Sequence, residues 1–299
     1  MGLGLREPGS AGSLPTVTII DAHVHLYPAA ANRAPAAWAE ARHEHYWSAL
    51  VTRRRKDGRA VQTFPSMADL LRDMDSAGVS QAVLLGWYWE HHATCVEHNR
   101  FYADCLKAEP ARFKAFATVH PAAGAAALDE IRWARDAGFS GLGELSPHSQ
   151  GVKMEDPTWR ALLKLAGDLK LPVNLHVTDP HSKPYPGRRE TPLADFVGLA
   201  REFPGTKFIL AHWGGGLAFD QEDRALRNVY YDTAASPLLY GPEAWTRAQP
   251  GRVLFGSDYP LVLFPKLGDT AEFHGIIREA VTAGAPPGIF AANAKQLLG

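Results

Sequence analysis

Cysteine is scarce in this chain: two in 299 residues, Cys95 and Cys105. Two thiols cannot build a disulfide framework or a four-cysteine zinc module. Net charge is scarce too, with 31 Lys plus Arg against 32 Asp plus Glu. Such a balance argues against nucleic acid or an anionic membrane surface as partner, since both recruit excess positive charge. No apolar run approaches the roughly 18 residues of a membrane span. Residues 1–15 (MGLGLREPGSAGSLP) are Gly- and Ser-rich and hold no apolar stretch suited to a signal peptide. They are expected to be a flexible tail on a cytoplasmic protein, with residues 16–299 folding as one unit. Hydrophobic residues are plentiful, 46% against 21% charged, which excludes disorder as the main state.

From Thr16 onward two textures alternate. Short β-branched runs read as strands at Val17–His23, Gln81–Gly86, Phe113–Val119, Ser140–Leu145, Pro172–Val177, Lys207–His212, Val229–Thr233 and Arg252–Ser257. Ala/Leu-rich amphipathic stretches read as helices at Ser66–Ala77, His92–Ala108, Ala125–Ala137, Pro157–Leu169, Pro192–Glu202, Phe219–Leu226, Pro242–Ala248 and Thr270–Ala283. Runs such as VTII, AVLL and FIL are apolar on both faces, as in parallel strands covered by helices. Eight strand–helix repeats predict a distorted (β/α)8 TIM barrel of the α/β class. The rival, a doubly wound sheet, should place a glycine-rich phosphate turn after its first strand, where Asp21-Ala22-His23-Val24-His25 has no glycine. Residues 26–65 are too long for an ordinary βα loop and read as a lid-like insertion after strand 1, with a helical stretch at Pro35–Val51.

Ligand-type side chains collect at the C-terminal ends of these strands: His23 and His25, Glu144, His176, His212 and Asp258. A barrel brings those ends to one face, where active sites lie. On a strand, His23 and His25 point to the same side and reach one ion. His43-Glu44-His45, by contrast, falls in a predicted helix, diverges, and reads as solvated surface. His91, Cys95 and His98 share a helix stripe on which nothing else converges. Three or four His with one Asp suit a borderline divalent ion, Zn²⁺ first, with Mn²⁺ and Fe²⁺ compatible. Such an ion lowers the pKa of its bound water to about 7. Asp258 is placed to take the water's proton, and a neutral His to polarise a substrate oxygen.

Ile-Ile-Asp-Ala-His-Val-His (19–25), Pro-Val-Asn-Leu-His (172–176), Ile-Leu-Ala-His-Trp-Gly-Gly-Gly (209–216), Leu-Phe-Gly-Ser-Asp-Tyr-Pro (254–260) and the ending Ile-Phe-Ala-Ala-Asn-Ala-Lys-Gln-Leu-Leu-Gly (289–299) resemble, in order, the amidohydrolase superfamily. The similarity is to the amidohydrolase-related branch typified by aminocarboxymuconate-semialdehyde decarboxylase. The resemblance implies a distorted (β/α)8 barrel in which His23, His25, His176 and Asp258 hold one divalent metal, usually zinc. It implies that His212 is a catalytic acid/base. Glu144 departs from the pattern of that branch, which has no ligand after strand 4. It is read as a bridge to a second metal, as a direct ligand, or as a carboxylate orienting a ligand His. Members often form dimers, so a homodimer is expected.

The expected substrate is a small organic molecule. Trp87, Trp89 and Trp213 are candidate aromatic walls, His120 and His148 candidate contacts, and Arg53 a candidate guanidinium for a carboxylate. Three readings stand. The first is hydrolysis of a C–O or C–N bond (lactone, ester or amide), with Asp258 taking the proton and His212 stabilising the oxyanion. The alternative is a non-oxidative decarboxylase on an aromatic or unsaturated acid. The third, a non-catalytic metal- or ligand-binding barrel, leaves the extra His and Asp without a task. Replacing His23 and His25 together by Ala is expected to abolish metal binding, read by elemental analysis, and turnover; full activity in that variant would remove the cluster from consideration.

Overall fold

The computed structural model describes residues 18–220, 226–262 and 271–299. The expected tail at residues 1–15 lies outside the described residues. Eight strands form one sheet in chain order: β1 (Ile19–Val24), β2 (Val79–Leu85), β3 (Phe113–Ala117), β4 (Gly141–Leu145), β5 (Val173–Leu175), β6 (Phe208–Leu210), β7 (Val229–Asp232) and β8 (Val253–Leu254). Every neighbouring pair is parallel. The sheet closes on itself, because Ala22 N–H donates to Phe255 O at 2.7 Å and His25 N–H to Tyr259 O at 2.7 Å. This is the distorted (β/α)8 barrel that the strand count predicts.

The insertion carries α1 (Ala29–Arg33), α2 (Pro35–Glu40) and α3 (His45–Val51), and α4 (Met67–Ala77) leads into β2. Then come α5 (His92–Ala108), α6 (Ala125–Asp136), α7 (Pro157–Asp168) and α8 (Leu193–Glu202), each between consecutive strands. Two short helices, α9 (Ser236–Leu239) and α10 (Ala244–Arg247), precede β8, and α11 (His274–Thr282), α12 (Pro287–Phe290) and α13 (Ala292–Leu298) follow it. Helix starts follow capping chemistry. Ser66 and Asp69 form a reciprocal capping box on α4, and Asp156 accepts from Thr158 and Trp159 N–H at the start of α7. The continuous helix expected over Pro35–Val51 is broken between α2 and α3, because buried Glu44 turns inward at the break. Of the helix expected at Phe219–Leu226, residues 221–225 lie outside the described residues; the chain before it, His212–Phe219, forms a turn. Among the described residues, no helix is long and apolar enough to cross a membrane.

Strand alternation splits the core. Ile20, Ala22, Val83, Leu85, Phe116, Ile209 and Leu254 form one cluster that α13 joins through Ala294 and Leu297. Ile19, Val24, Ala82, Leu84, Val173 and Phe208 face the helices in another. On β1 the parity changes midway: Ile20 and Ala22 share the first cluster, while Val24 belongs to the second. The register shift between Asp21 and Val24 explains this, and it turns His23 and His25 inward. Asp21 pins the irregularity, since its Oδ1 accepts from His23 N–H and Ser257 N–H, both at 3.0 Å.

After β6, φ is positive through His212, Trp213, Gly214, Gly215 and Gly216. An L-residue in this region costs about 1–2 kcal/mol, so the three glycines make the left-handed turn affordable. A Cβ on Gly214 would stand 2.8 Å from the Tyr231 ring. Gly214→Ala is therefore expected to lose about 1–3 kcal/mol in denaturant unfolding; an unchanged midpoint would show that the turn relaxes freely.

Candidate active site

Six side chains converge at the C-terminal mouth of the barrel. His23 donates Nδ1–H to Asp232 Oδ2 at 2.9 Å, and His25 donates Nδ1–H to Leu85 O at 3.1 Å. Both Nε2 atoms are thereby turned inward, 3.1 Å apart. Asp258 Oδ1 lies 3.7 Å from each. A second group faces the first: Glu144 Oε1 is 2.9 Å from His176 Nδ1 and 3.6 Å from His212 Nε2. Glu144 Oε2 spans the two groups, 3.7 Å from His25 Nε2 and 4.0 Å from His23 Nε2. Within each group the ligand atoms lie within 4.8 Å of one another.

The electrostatics ask for positive charge. Burial pushes the His23 imidazole down, but the carboxylates of Asp232, Glu144 and Asp258 outweigh it and raise it to about 10. His25 is held down to about 3 by burial and by its neighbour His23. Burial would raise Glu144, yet His176, His212 and His23 hold it well below the carboxylate range. Asp258 moves up, because burial outweighs His23 and His212. Two nitrogens with Nδ1 committed elsewhere, plus a carboxylate oxygen, face one point. Their donor chemistry fits a borderline divalent cation.

Asp232, at the end of β7, holds this arrangement together. Its Oδ2 also accepts from Asn174 Nδ2 at 3.0 Å, and its Oδ1 from the N–H groups of His212 and Ala234, both at 3.1 Å. Sequence reasoning missed it, although the strand-end rule that found Glu144 applies equally to Tyr-Tyr-Asp on β7.

A cavity of about 180 Å³ opens above the cluster. His25, Glu144, His176, His212 and Asp258 line it, with Trp87, Tyr88 and Tyr185 as aromatic surfaces. Leu50, Val51, Arg53, Val61 and Gln62 of the insertion line it as well.

A family model described as amidohydrolase matches residues 20–299. The chain belongs to the amidohydrolase family. It is an enzyme of a family that binds a divalent metal. One curated relative, 6-methylsalicylic acid decarboxylase of Penicillium expansum, is 34% identical over 84 residues, 21% of this chain. The match covers 26% of that relative's length. Among solved structures, 5-carboxyvanillate decarboxylase from Sphingomonas paucimobilis superposes with a TM-score of 0.70 at 18% identity, covering 94% of this chain and 99% of the other. The 5-carboxyvanillate decarboxylase of Novosphingobium aromaticivorans, complexed with manganese and 4-hydroxy-3-methoxy-5-nitrobenzoic acid, gives 0.69 at 15% identity, covering 94% and 96%.

In this amidohydrolase all the expected ligand residues meet, but His176 stands with Glu144 and His212 rather than beside His23, His25 and Asp258. Of the expected substrate contacts, Arg53 and Trp87 line the cavity. Four others do not. Trp89 is fully buried in the insertion's core, donating Nε1–H to His98 at 2.9 Å. Trp213 is turned by the left-handed segment onto Phe219 and Trp245. His120 accepts from Ala122 N–H and caps a short turn. His148 pairs with Asp195 at 2.8 Å. His98 spends both nitrogens on Trp89 and Leu26 O, so the His91/Cys95/His98 stripe is structural. His43 and His45 are exposed as expected, whereas Glu44 between them is fully buried. Asp232→Asn should weaken metal affinity about 10–100-fold by freeing the His23 ring; metal titration giving the wild-type constant would exclude that orienting role.

Proposed function

We propose that this enzyme is a metal-dependent, non-oxidative decarboxylase of a small aromatic carboxylic acid. The observation that carries the reading is Arg53. It is the one Lys or Arg side chain lining the cavity among the described residues. Its guanidinium lies 4.4 Å over the Tyr185 ring, and its Nη1 is buried without a hydrogen-bond partner. A desolvated guanidinium beside aromatic surfaces calls for a flat anion, and a carboxylate fits its planar fork. The names of the relatives support the same class, since all three are decarboxylases of aromatic acids. Hydrolysis, the first expectation from sequence, has one structural neighbour on its side, a probable 2-pyrone-4,6-dicarboxylic acid hydrolase with a TM-score of 0.58 at 16% identity, below the scores of the decarboxylases, and it gives way to the lyase reading.

Zn²⁺ is the expected metal; His23, His25 and Asp258 would hold it, with His176 of the expected set standing in the facing group, and manganese is the metal in the Novosphingobium structure. When bound, the cation supplies charge that draws electrons toward the substrate's oxygens. The chain's own groups do the rest. Trp87, Tyr88 and Tyr185 hold the ring, and Arg53 orients the carboxylate. His212 is the acid. Burial alone would lower its imidazole, but the Glu144 and Asp258 carboxylates raise it, and Nε2 lies 3.6 Å from Glu144 Oε1, both residues lining the cavity. Its proton adds to the ring carbon bearing the carboxylate, using a ring electron pair. The carbon–carbon bond then breaks, its pair restores the aromatic ring, and carbon dioxide leaves. One proton is consumed per turnover and is replaced from solvent. Leu50, Val51 and Val61 keep this space apolar, which favours the neutral products.

With 6-methylsalicylate or 5-carboxyvanillate and metal-loaded enzyme, release of carbon dioxide with one solvent deuteron on the ring in D₂O is expected. Labelled water oxygen entering the acid released from a lactone, ester or amide, with no carbon dioxide from either aromatic acid, would overturn the reading. Arg53→Met should raise KM by about tenfold with kcat little changed, since a charge-assisted pair is lost in binding.

A further inference from the structure

Glu44 lies outside the cavity, in the break between α2 and α3, and its side chain is fully buried. Its two oxygens serve two backbone donors: Oε2 accepts Glu90 N–H at 2.7 Å and Oε1 accepts His91 N–H at 3.1 Å. The exchange is reciprocal. Glu90 Oε2 accepts the N–H of Tyr46, from the first turn of α3, at 2.7 Å. Two carboxylates, one from each segment, thus satisfy the other segment's chain.

The segment gripped is Trp87–His91. Its first two rings stack at 4.3 Å, and Tyr88 lies 5.1 Å from the His176 ring. Its third, Trp89, packs on Trp38 at 5.3 Å and on Trp47 at 5.4 Å, inside the insertion. The same five residues therefore face the cavity at one end and are held by the insertion at the other. Burying a carboxylate is unfavourable, and burial pushes the Glu44 carboxyl up. The position of the α5 N-terminus offsets this in part, since exposed N–H groups there favour negative charge.

We infer that Glu44 is a positioning residue, which through the reciprocal clasp with Glu90 sets where Trp87 and Tyr88 stand over the histidine cluster. The insertion then acts as a fixed wall rather than a swinging cover. This rests on the reading of the cavity as the aromatic-acid site. A second anchor of the insertion provides the control. Arg42 pairs bidentately with Glu97 on α5, at 2.8 and 2.9 Å, on a half-exposed surface. Glu97 makes no contact with the Trp87–His91 segment, and its partner Arg42 reaches that segment only through the Trp38 ring, which it covers at 4.4 Å.

The test compares wild type, Glu44→Ala, Glu44→Gln and Glu97→Gln, all metal-loaded. Two readouts are taken: hydrogen exchange of residues 87–91, and the dissociation constant of benzoate by equilibrium dialysis. Glu44→Ala should speed exchange in that segment and weaken benzoate by about tenfold through misplacement of the ring wall. Glu44→Gln, which keeps one acceptor, should fall between, and Glu97→Gln should match wild type in both. Equal effects from Glu97→Gln, unchanged benzoate binding in Glu44→Ala, or no benzoate binding by wild type would each overturn the inference. Wild-type benzoate binding without carbon dioxide release from hydroxybenzoates would instead defeat the decarboxylase reading and leave the clasp standing.

Discussion

Four hydrogen-bond donors converge on the buried carboxylate of Asp232, and they come from β1, β5 and the segments following β6 and β7. Two of these donors belong to His23 and His212 of the centre. The His23 bond fixes which ring nitrogen is turned inward, and the His212 bond holds the backbone where the left-handed turn begins. A carboxylate buried this deeply is stable only if its donors are all present, so the strands must be in register before the site exists. The geometry of the centre is thus inherited from barrel closure, not built from local loops.

Closure also sets what the cavity can contain. Asp258 N–H donates to His23 O at 3.0 Å, which places the last member of the cluster beside the first across the seam of the barrel. The insertion after β1 is tied into the same seam, since Val262 N–H donates to Val61 O at 2.8 Å and Thr63 N–H to Pro260 O at 3.2 Å. One wall of the cavity therefore moves with the His23, His25 and Asp258 cluster. Its aliphatic residues stand above a floor of carboxylates and imidazoles, a contrast in polarity that the proposed proton transfer to carbon would use.

Much of this was legible in the residue order. Doubly apolar runs and their spacing identified the parallel barrel, because strands covered on both sides need apolar residues at every position. Strand-end histidines and carboxylates identified the cluster, because parallel strands in a barrel all finish on one face. Periodicity failed where a local irregularity changed direction. The inward turn of His23 and His25 depends on a register shift in β1, and Trp213 is turned from the cavity by positive φ at His212 and Trp213. It failed again at Glu44, where a helical pattern concealed a break made by a buried charge.

The sequence by itself determined the fold class, the family and the residue types of the centre, because these follow from repeating patterns and ordered motifs. Only the tertiary structure decided how the ligands divide between two groups, that Asp232 orients His23, and that Arg53 rather than Trp89, Trp213, His120 or His148 borders the cavity. The physical reason is that partner choice depends on distances between segments far apart in the chain. Those distances are set by register, loop path and closure, none of which a local pattern encodes.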